Sequence, residues 1–268
     1  KKTLERTDPY SHFNNNEHDL FFGSTIEQDP SYSNFRGSLD EVRIYVRSLS
    51  QEEIQGILKE QPKPIDLKAG LLAHYPYSGN ANDHSGNEHH LEVNGSTPVE
   101  DRFGMPESAY AFDGKNDFMF ADIEERKGDF SISLWAKAEN VEQSRYRSVI
   151  NVFDKTPGSK HTCQIHTSGG RYPTYQFFSG NAESFALVKA EWQHLAVTVS
   201  GKVIRFYENG ERVYSQELEG GAANKFSNVI IGRNRNRNRH FQGTIDDVYV
   251  YERAVSDAEV ERLYNGGF

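Results

Sequence analysis

The segment Asp83-His-Ser-Gly-Asn87 carries oxygen donors at a spacing that suits a hard cation. Calcium binds roughly six to eight oxygens from carboxylates, amides and backbone carbonyls. Asp83 offers a carboxylate, Asn87 offers an amide oxygen, and the tight turn between them offers its carbonyls. The segment therefore predicts a calcium site. The alternative is that Asp83 only caps its own turn as an Asx motif.

A second unusual run, Arg233-Asn-Arg-Asn-Arg-Asn-Arg-His240, has an arginine at every second position. In an extended chain alternate side chains lie on one face, so Arg233, Arg235, Arg237 and Arg239 would line that face. Guanidinium groups pair well with carboxylate and sulfate. The run therefore predicts a ligand site for acidic glycans. The alternative is a solvated loop that balances nearby acidic residues.

Residues that would carry catalysis do not fall into useful patterns. Glycoside hydrolysis usually needs two carboxylates that flank one bond, and on a strand they would alternate. Asp122 and Glu124 alternate, but the charged run A-D-I-E-E-R-K-G-D around them predicts a solvated loop. His89 and His90 lack a third spaced ligand, which makes them a weak zinc signal. We therefore predict that the chain is not an enzyme and has no catalytic residue.

The elements that position these residues include a repeated segment. The stretch F-R-G-S-L-D-E-V-R-I-Y-V-R-S-L-S-Q-E-E-I at 35–54 nearly matches F-Q-G-T-I-D-D-V-Y-V-Y-E-R-A-V-S-D-A-E-V at 241–260. Each copy predicts a half-buried strand of alternating apolar residues and then a short helix. Ser50 with Glu53 forms a capping box at the start of the first helix, and Ser256 with Glu259 forms one at the start of the second.

The repeated segment resembles the closing segment of laminin-G-like domains in the concanavalin A-like jelly-roll superfamily. Further matches to such domains follow in the expected order: Leu71–Ser78 to the first strand, Asp83–Gly95 to a D-x-S-G-N loop, Tyr110–Phe120 to an F-D-G-x-x-D hairpin, and then Phe130–Ala136 and Glu191–Val199. The resemblance implies an all-β fold, a two-sheet antiparallel jelly-roll sandwich with a short closing helix.

The resemblance also predicts the domain organisation. It covers about 66–268 in full, so residues 63–268 are predicted to form a complete domain after the break at Gln61-Pro-Lys-Pro64. Residues 1–62 are predicted to be the C-terminal part of an upstream sister domain plus a linker, supported by the match of Leu20–Gly23 to Val229–Gly232. A partial sheet cannot bury its apolar face alone. We therefore expect residues 1–62 to pack on the complete domain or on another chain.

In laminin-G-like domains the aspartate of the first loop and the aspartate of the closing strand meet at a calcium ion. The resemblance thus implies a structural Ca2+ held by Asp83, Asn87 and Asp246. Asp247 follows Asp246 directly, so the two carboxylates are predicted to point to opposite faces of the strand. Asp40 in the first copy matches Asp246 but lacks a first-loop partner, so no complete site is predicted there.

The two tryptophans and one hairpin give sharper structural predictions. Trp135 lies on the strand face opposite Ile132 and Leu134, and in Glu191–Val199 Trp192 lies on the face opposite the apolar Leu195, Val197 and Val199. A tryptophan can act as a platform for a sugar ring, but we predict packing for both.

The run Val203–Val213 predicts a hairpin with Asn209-Gly210 in a type I′ turn. Its predicted register pairs Glu208 with Glu211, and Phe206 with Val213.

Composition narrows the choice of partners. The net charge of −9 argues against nucleic acid, and no run approaches the roughly 18 apolar residues of a membrane span. The lone Cys163 allows no intrachain disulfide and is predicted to be buried or half-buried.

The leading interpretation is a non-catalytic extracellular or cell-surface module that binds carbohydrate. The alternative is a protein–protein adhesion or structural module.

The two interpretations predict different surfaces. Sugar binding would show as a groove with an exposed aromatic ring and nearby amides or arginines. Adhesion would show as a flat apolar patch.

Overall fold

The computed structural model describes residues 35, 42–59, 64–139, 146–155, 161–168, 174–178, 184–187, 189–217 and 225–267. The chain divides into two compact units, 1–62 and 63–268. No helix within the described ranges is long and apolar enough to cross a membrane.

In the first unit, the described residues form one helix, α1 (Gln51–Lys59). Its predicted capping box is confirmed. The Glu53 N–H donates to Ser50 Oγ at 3.1 Å, and the Ser50 N–H donates to the Glu53 carboxylate at 2.7 Å. The Arg47 guanidinium also donates to Glu53, at 2.7 and 2.9 Å.

The strand predicted before α1 does not appear in 42–50, where no residue takes part in a β-ladder. The prediction is wrong for these residues because a strand needs a hydrogen-bonded neighbour, which alternation of apolar residues cannot supply. Leu20–Gly23 and Asp40 lie outside the described residues. The packing of 1–62 on another surface stays a prediction.

The second unit consists of strands and one closing helix. In its described residues these are β1 (Leu71–Tyr75), β2 (Glu92–Asn94), β3 (Thr97–Val99), β4 (Ala109–Asp113), β5 (Phe118–Lys127), β6 (Phe130–Ala138), β7 (Arg147–Phe153), β8 (His161–Ser168), β9 (Thr174–Phe178), β10 (Ser184–Leu187), β11 (Gln193–Ser200), β12 (Val203–Glu208), β13 (Glu211–Glu217), β14 (Lys225–Ile231), β15 (Gln242–Tyr251) and α2 (Asp257–Tyr264).

The named strands form two antiparallel sheets. One has the order β13-β12-β11-β6-β15-β4-β3, with β1 also paired to β15, and the other has the order β10-β9-β8-β7-β14-β5-β2. Alternate residues of each strand point into the space between the sheets, as Ile132 and Leu134 of β6 do. Cys163 is fully buried in the same core, as predicted. The structure confirms the predicted two-sheet antiparallel sandwich.

The closing helix α2 covers the outer face of the β15 sheet. Ser256 and Glu259 form the predicted capping box. The helix buries Val260 and Leu263 against Tyr249 and Tyr251, whose side chains lie on the outer face of β15. This packing fixes the end of α2 beside β6 and β11, where a surface cleft is found.

The predicted hairpin is confirmed at its tip and wrong further along. Asn209 and Gly210 have φ of 50° and 83°, as a type I′ turn requires, and Glu208 pairs with Glu211. Phe206 pairs with Tyr214 instead of Val213, because the register shifts between Phe206 and Tyr207.

The charged run at 121–129 is not the predicted loop. β5 continues to Lys127 because β14 pairs along it, with Asn228 opposite Asp122. The carboxylates of Asp122 and Glu124 are nevertheless exposed, at 62% and 85% of their side chains. The Lys155 ammonium pairs with Asp122. The predicted solvation of these carboxylates is therefore confirmed, although the loop is not.

Candidate ligand-binding surfaces and a buried charge cluster

The acidic pair on β15 converges on one arginine. The register of β15 against β6 shifts between Asp246 and Tyr249, and Asp247 has φ of 44°. Arg102 donates through Nη1 to Asp246 and through Nη2 to Asp247 Oδ2, the latter at 2.6 Å. The prediction that the two carboxylates point to opposite faces is wrong, because this bulge breaks the strict alternation of the strand.

One guanidinium therefore pairs with two carboxylates, the buried one of Asp246 and the half-buried one of Asp247. The side chains of Arg102 and Asp246 are 8% and 3% exposed. Burial, together with the adjacent Asp247 carboxylate, raises the pKa of Asp246 to about 7. Burial acts the same way on Asp247, but hydrogen bonds from His74 and Arg102 outweigh it and lower the pKa of that carboxyl.

The first loop is closed by its own hydrogen bonds. Asp83 Oδ1 accepts from the backbone N–H groups of His74 and Ser85, and Oδ2 accepts from the Ser85 hydroxyl and the His89 N–H, at 2.8–3.0 Å. Burial raises the pKa of Asp83, but these four donors outweigh burial and lower it. Asn87 uses its amide N–H groups on the carbonyls of β1. These contacts match the Asx-turn alternative.

Two of the three predicted calcium ligands, the carboxylates of Asp83 and Asp246, are already engaged by hydrogen-bond donors. Both oxygens of Asp83 already accept two hydrogen bonds each, and Asp246 accepts from Arg102. The described residues contain no group of three or more His, Cys, Asp or Glu side chains that could hold a metal ion. Calcium binding by Asp83, Asn87 and Asp246 stays a prediction of the oxygen donors in the first loop and of the family resemblance.

Calorimetry with calcium, magnesium or a chelator tests the calcium prediction. A shared ion that binds only the native chain would add RT ln(1 + [L]/Kd), about 2.7 kcal/mol at a hundredfold excess over Kd. From the contacts above we expect no calcium-specific rise in melting temperature. A rise that is lost in Asp83→Asn would contradict this expectation and restore the predicted site.

The arginine run forms a turn instead of an extended strand. The Asn238 N–H donates to Asn234 Oδ1 at 3.1 Å, and the Arg237 N–H donates to the Asn234 carbonyl at 3.2 Å. Arg237 and Arg239 have φ of 59° and 57°. The extended arrangement that would put the four guanidinium groups on one face is therefore not found, because Asn234 closes a turn with its own side chain.

The four arginines have different surroundings. Arg233 is buried with its guanidinium 3.9 Å from the centre of the Phe118 ring, and burial lowers its pKa. Arg235 is half-buried, whereas Arg237 and Arg239 are exposed. We call Arg235, Arg237 and Arg239 the rim arginines, since they lie in the loop that connects the two sheets.

An exposed ring adjoins the rim arginines. The Arg239 guanidinium lies 5.1 Å from the centre of the Tyr146 ring, which belongs to a side chain that is 49% exposed. Neither Arg237 nor Arg239 has an ion-pair partner among the described residues. This corner therefore combines uncompensated positive charge with an aromatic face.

A cleft of about 370 Å³ opens on the outer face of the β15 sheet. We call it the aromatic cleft, because rings form most of its wall; its lining is Arg102, Phe103, Trp135, Trp192, Tyr264, Asn265 and Gly266. The Trp135 and Tyr264 rings stack at 5.5 Å between centres. The predicted packing of Trp135 is confirmed, but the sequence did not indicate that both tryptophans would also line a cleft.

Phe103 is a member of the cleft that sequence reasoning missed. Its side chain is 72% exposed on the loop after β3. The adjoining Gly104 marks a turn, and an aromatic residue at an exposed turn is the signal that was available.

A buried Ser–His pair lies next to the cleft wall. Ser133 Oγ and His194 Nε2 are 2.8 Å apart, and both residues are 1% exposed. Burial lowers the pKa of His194 to about 3. His194 Nδ1 has no hydrogen-bond partner in the described part of the chain, so the third group of a nucleophile–base–orienter arrangement is missing there. We assign this pair no catalytic role.

Two packed antiparallel sheets with one short closing helix are the architecture of a jelly-roll sandwich. Residues 112–261 match the family described as the concanavalin A-like lectin/glucanases superfamily. The chain belongs to this superfamily, which confirms the resemblance found in its motifs.

Known proteins are similar to parts of the chain. Pappalysin-1 of Mus musculus is 27% identical over 188 residues, which are 59% of this chain and 12% of that protein. The chain thus spans only a small part of this curated relative. The binding domain of Paraclostridial mosquitocidal protein 1 superposes with a TM-score of 0.58 at 21% identity, covering 75% of this chain and 53% of that one.

A further fold relative is a botulinum neurotoxin domain. The serotype D ligand-binding domain, in complex with N-acetylneuraminic acid, has a TM-score of 0.57 at 15% identity. The match covers 74% of this chain and 51% of that chain.

Proposed function

We propose that residues 63–268 form a non-catalytic carbohydrate-binding module that acts outside the cell and recognises acidic glycans at the rim arginines. The observation that carries the proposal is that Arg237 and Arg239 are exposed without an ion-pair partner among the described residues, with Arg239 beside the Tyr146 ring. A guanidinium donates two parallel N–H groups to a carboxylate or a sulfate.

Charge and shape at this corner suit such a ligand. The whole chain carries a net charge of −9, so a local cluster of cations is an exception on its surface. An anionic ligand would be attracted to this cluster and repelled elsewhere, which gives specificity and orientation. The exposed face of Tyr146 offers an apolar surface for the C–H side of a sugar ring.

The comparisons support carbohydrate as the ligand class. The fold is shared with a neurotoxin domain that was solved with N-acetylneuraminic acid, a sugar that carries a carboxylate. The superfamily itself is described by its lectins and glucanases. The alternative function, protein adhesion, is favoured by the exposed apolar side chains of Phe103 and Met105, and a module of that kind would bind no glycan.

Replacing the three rim arginines with glutamine (Arg235→Gln, Arg237→Gln, Arg239→Gln) is expected to weaken binding of a sulfated or sialylated oligosaccharide about a hundredfold or more. Hydrogen bonds to charged groups contribute about 1.5–3 kcal/mol each, and about 1.4 kcal/mol is tenfold in affinity. Titration calorimetry of the full chain measures the loss. The affinity of the native chain should also fall as salt is added.

Arg212→Gln is the matched control, because it removes one exposed arginine on β13 that pairs with Asp257 at 3.4 Å. It should bind as the native chain does. Equal affinity of the triple variant and the native chain would show that the rim arginines are not the binding site for acidic glycans. A native chain that binds proteins but no acidic oligosaccharide would favour the adhesion alternative.

A further inference from the structure

We infer that the aromatic cleft is a second ligand site, which takes the ring of a neutral sugar. The inference extends the proposed carbohydrate-binding function, but it rests on different residues. The cleft lining and the rim arginines share no residue.

The walls of the cleft provide flat apolar faces. Trp135, stacked on Tyr264, forms one part of the wall, and the exposed Phe103 and half-buried Trp192 form others. A volume of about 370 Å³ lies within the range of about 300–1,000 Å³ that is typical of small-molecule sites. The C–H face of a sugar ring is the part of a glycan that can cover an aromatic face. The size and the walls together fit one or two sugar rings.

The charge of the cleft selects a neutral ligand. Arg102 is the charged residue in the lining, and its guanidinium is already bound to Asp246 and Asp247. The same guanidinium lies 4.4 Å from the centre of the Phe103 ring and 4.8 Å from that of Trp135. Its two terminal nitrogens are therefore paired with carboxylates, which compensate its charge, although its Nε has no hydrogen-bond partner in the described residues. The Lys137 ammonium lies 5.4 Å from the centre of the Trp192 ring but is not part of the lining. The lining itself therefore holds no uncompensated cation for an acidic group. The rim arginines present the opposite case.

Polar groups at the edge of the cleft suit sugar hydroxyls. Asn265 is exposed at the end of α2, and its side-chain amide has no hydrogen-bond partner in the described residues. An amide both donates and accepts, as a hydroxyl does. Aromatic walls with one or a few placed polar groups are the usual composition of a site for an uncharged ligand.

The cleft wall is preformed. Trp135 belongs to β6 at the centre of the sheet, and the ring of Tyr264 is held by α2, which buries Leu263 beside it. A rigid wall loses little side-chain freedom when a ligand binds. The entropic cost of ordering these side chains on binding is therefore small, so a weak stacking interaction is enough for a measurable affinity.

Tryptophan fluorescence tests the inference directly, because the chain has two tryptophans and both line the cleft. The full chain is titrated with neutral arabino-, xylo-, manno- and cello-oligosaccharides up to about 10 mM, a range that detects Kd values near 1 mM. We expect a saturable change in emission with at least one of these series. Phe103→Ala and Asn265→Ala should each weaken the fitted Kd about tenfold.

The rim-arginine triple variant separates this inference from the proposed function. The triple variant should keep the fluorescence response to the neutral sugar and lose only the binding of the acidic glycan. Phe103→Ala should keep the binding of the acidic glycan and weaken the response to the neutral sugar. The inference is overturned if no neutral series changes the emission, or if Phe103→Ala responds as the native chain does. A response to aromatic peptides alone would also overturn it, since the cleft would then be a protein-binding site.

Discussion

Replacing Arg102 with methionine is expected to lower the free energy of unfolding by about 3–5 kcal/mol at neutral pH, the usual effect of removing one partner from a buried ion pair. The side chains of Arg102 and Asp246 are 8% and 3% exposed, and the same guanidinium binds Asp247. Methionine fills much of the same volume, so the loss would come from a buried and a half-buried carboxylate that have lost their cation. Chemical denaturation at several pH values measures it.

The loss should depend on pH in a defined direction. A buried carboxyl without a cation has a folded-state pKa above its unfolded value, so it stabilises the fold while protonated and loses that contribution as pH rises through the folded pKa. Asp246 already has its pKa raised to about 7 in the native chain. The deficit of Arg102→Met should therefore be larger at about pH 8 than at about pH 5. Adding Asp246→Asn should recover part of it, and a deficit that is the same at both pH values and in the double variant would contradict the ion-pair account.

Gly243→Ala is expected to destabilise the second unit by about 3 kcal/mol or more, among the largest effects of a single methyl group. Gly243 lies on β15 opposite Ala138 of β6, with φ of 148°. An added Cβ would collide with the Lys137 carbonyl and lie 2.9 Å from the Phe241 ring. The carbonyl belongs to the backbone of a central strand, so it cannot move without disturbing the ladder. Thermal and urea unfolding measure the change.

Gly104→Ala is the matched control, because Gly104 also has a positive φ of 80° but an added Cβ there would meet nothing within 4 Å. Only the backbone strain remains at that site, about 1–2 kcal/mol. Equal effects of the two substitutions would show that the close approach of β15 and β6 does not matter. A larger loss of stability for Gly243→Ala than for Gly104→Ala would explain why both copies of the repeated segment have glycine in F-x-G-x-[IL]-D.

Local sequence patterns predicted the closing strand, α2 and both capping boxes, because each depends on residues close together in the chain. Ser256 and Glu259 satisfy each other across one helical turn, whatever the rest of the fold does. The opposing faces of β6, with Trp135 outside and Ile132 inside, follow from the same short-range rule.

Other features depend on contacts that the sequence pattern does not contain. Arg102 and Asp246 are 144 positions apart, and no local rule joins them. The bulge at Asp247 and the register shift after Phe206 each move one residue, and one residue is enough to exchange the faces of a strand.

The candidate sites were predictable only in part. The arginine run was found from its composition, but its turn depends on the Asn234 side chain, whose Oδ1 accepts from the Asn238 backbone N–H. The aromatic cleft combines the loop after β3, the strand β6 and the end of α2, which are distant in sequence. Such a site can be recognised only after the fold has brought those segments together.

A glycan array probed with the full chain tests the central claim most directly. We expect retention of at least one sulfated or sialylated glycan, and weaker retention of the same glycan after the acidic group is removed. The preference should disappear in the rim-arginine triple variant, whose missing charges are Arg235, Arg237 and Arg239. An array on which the native chain retains no glycan above background would contradict the assignment of a carbohydrate-binding module.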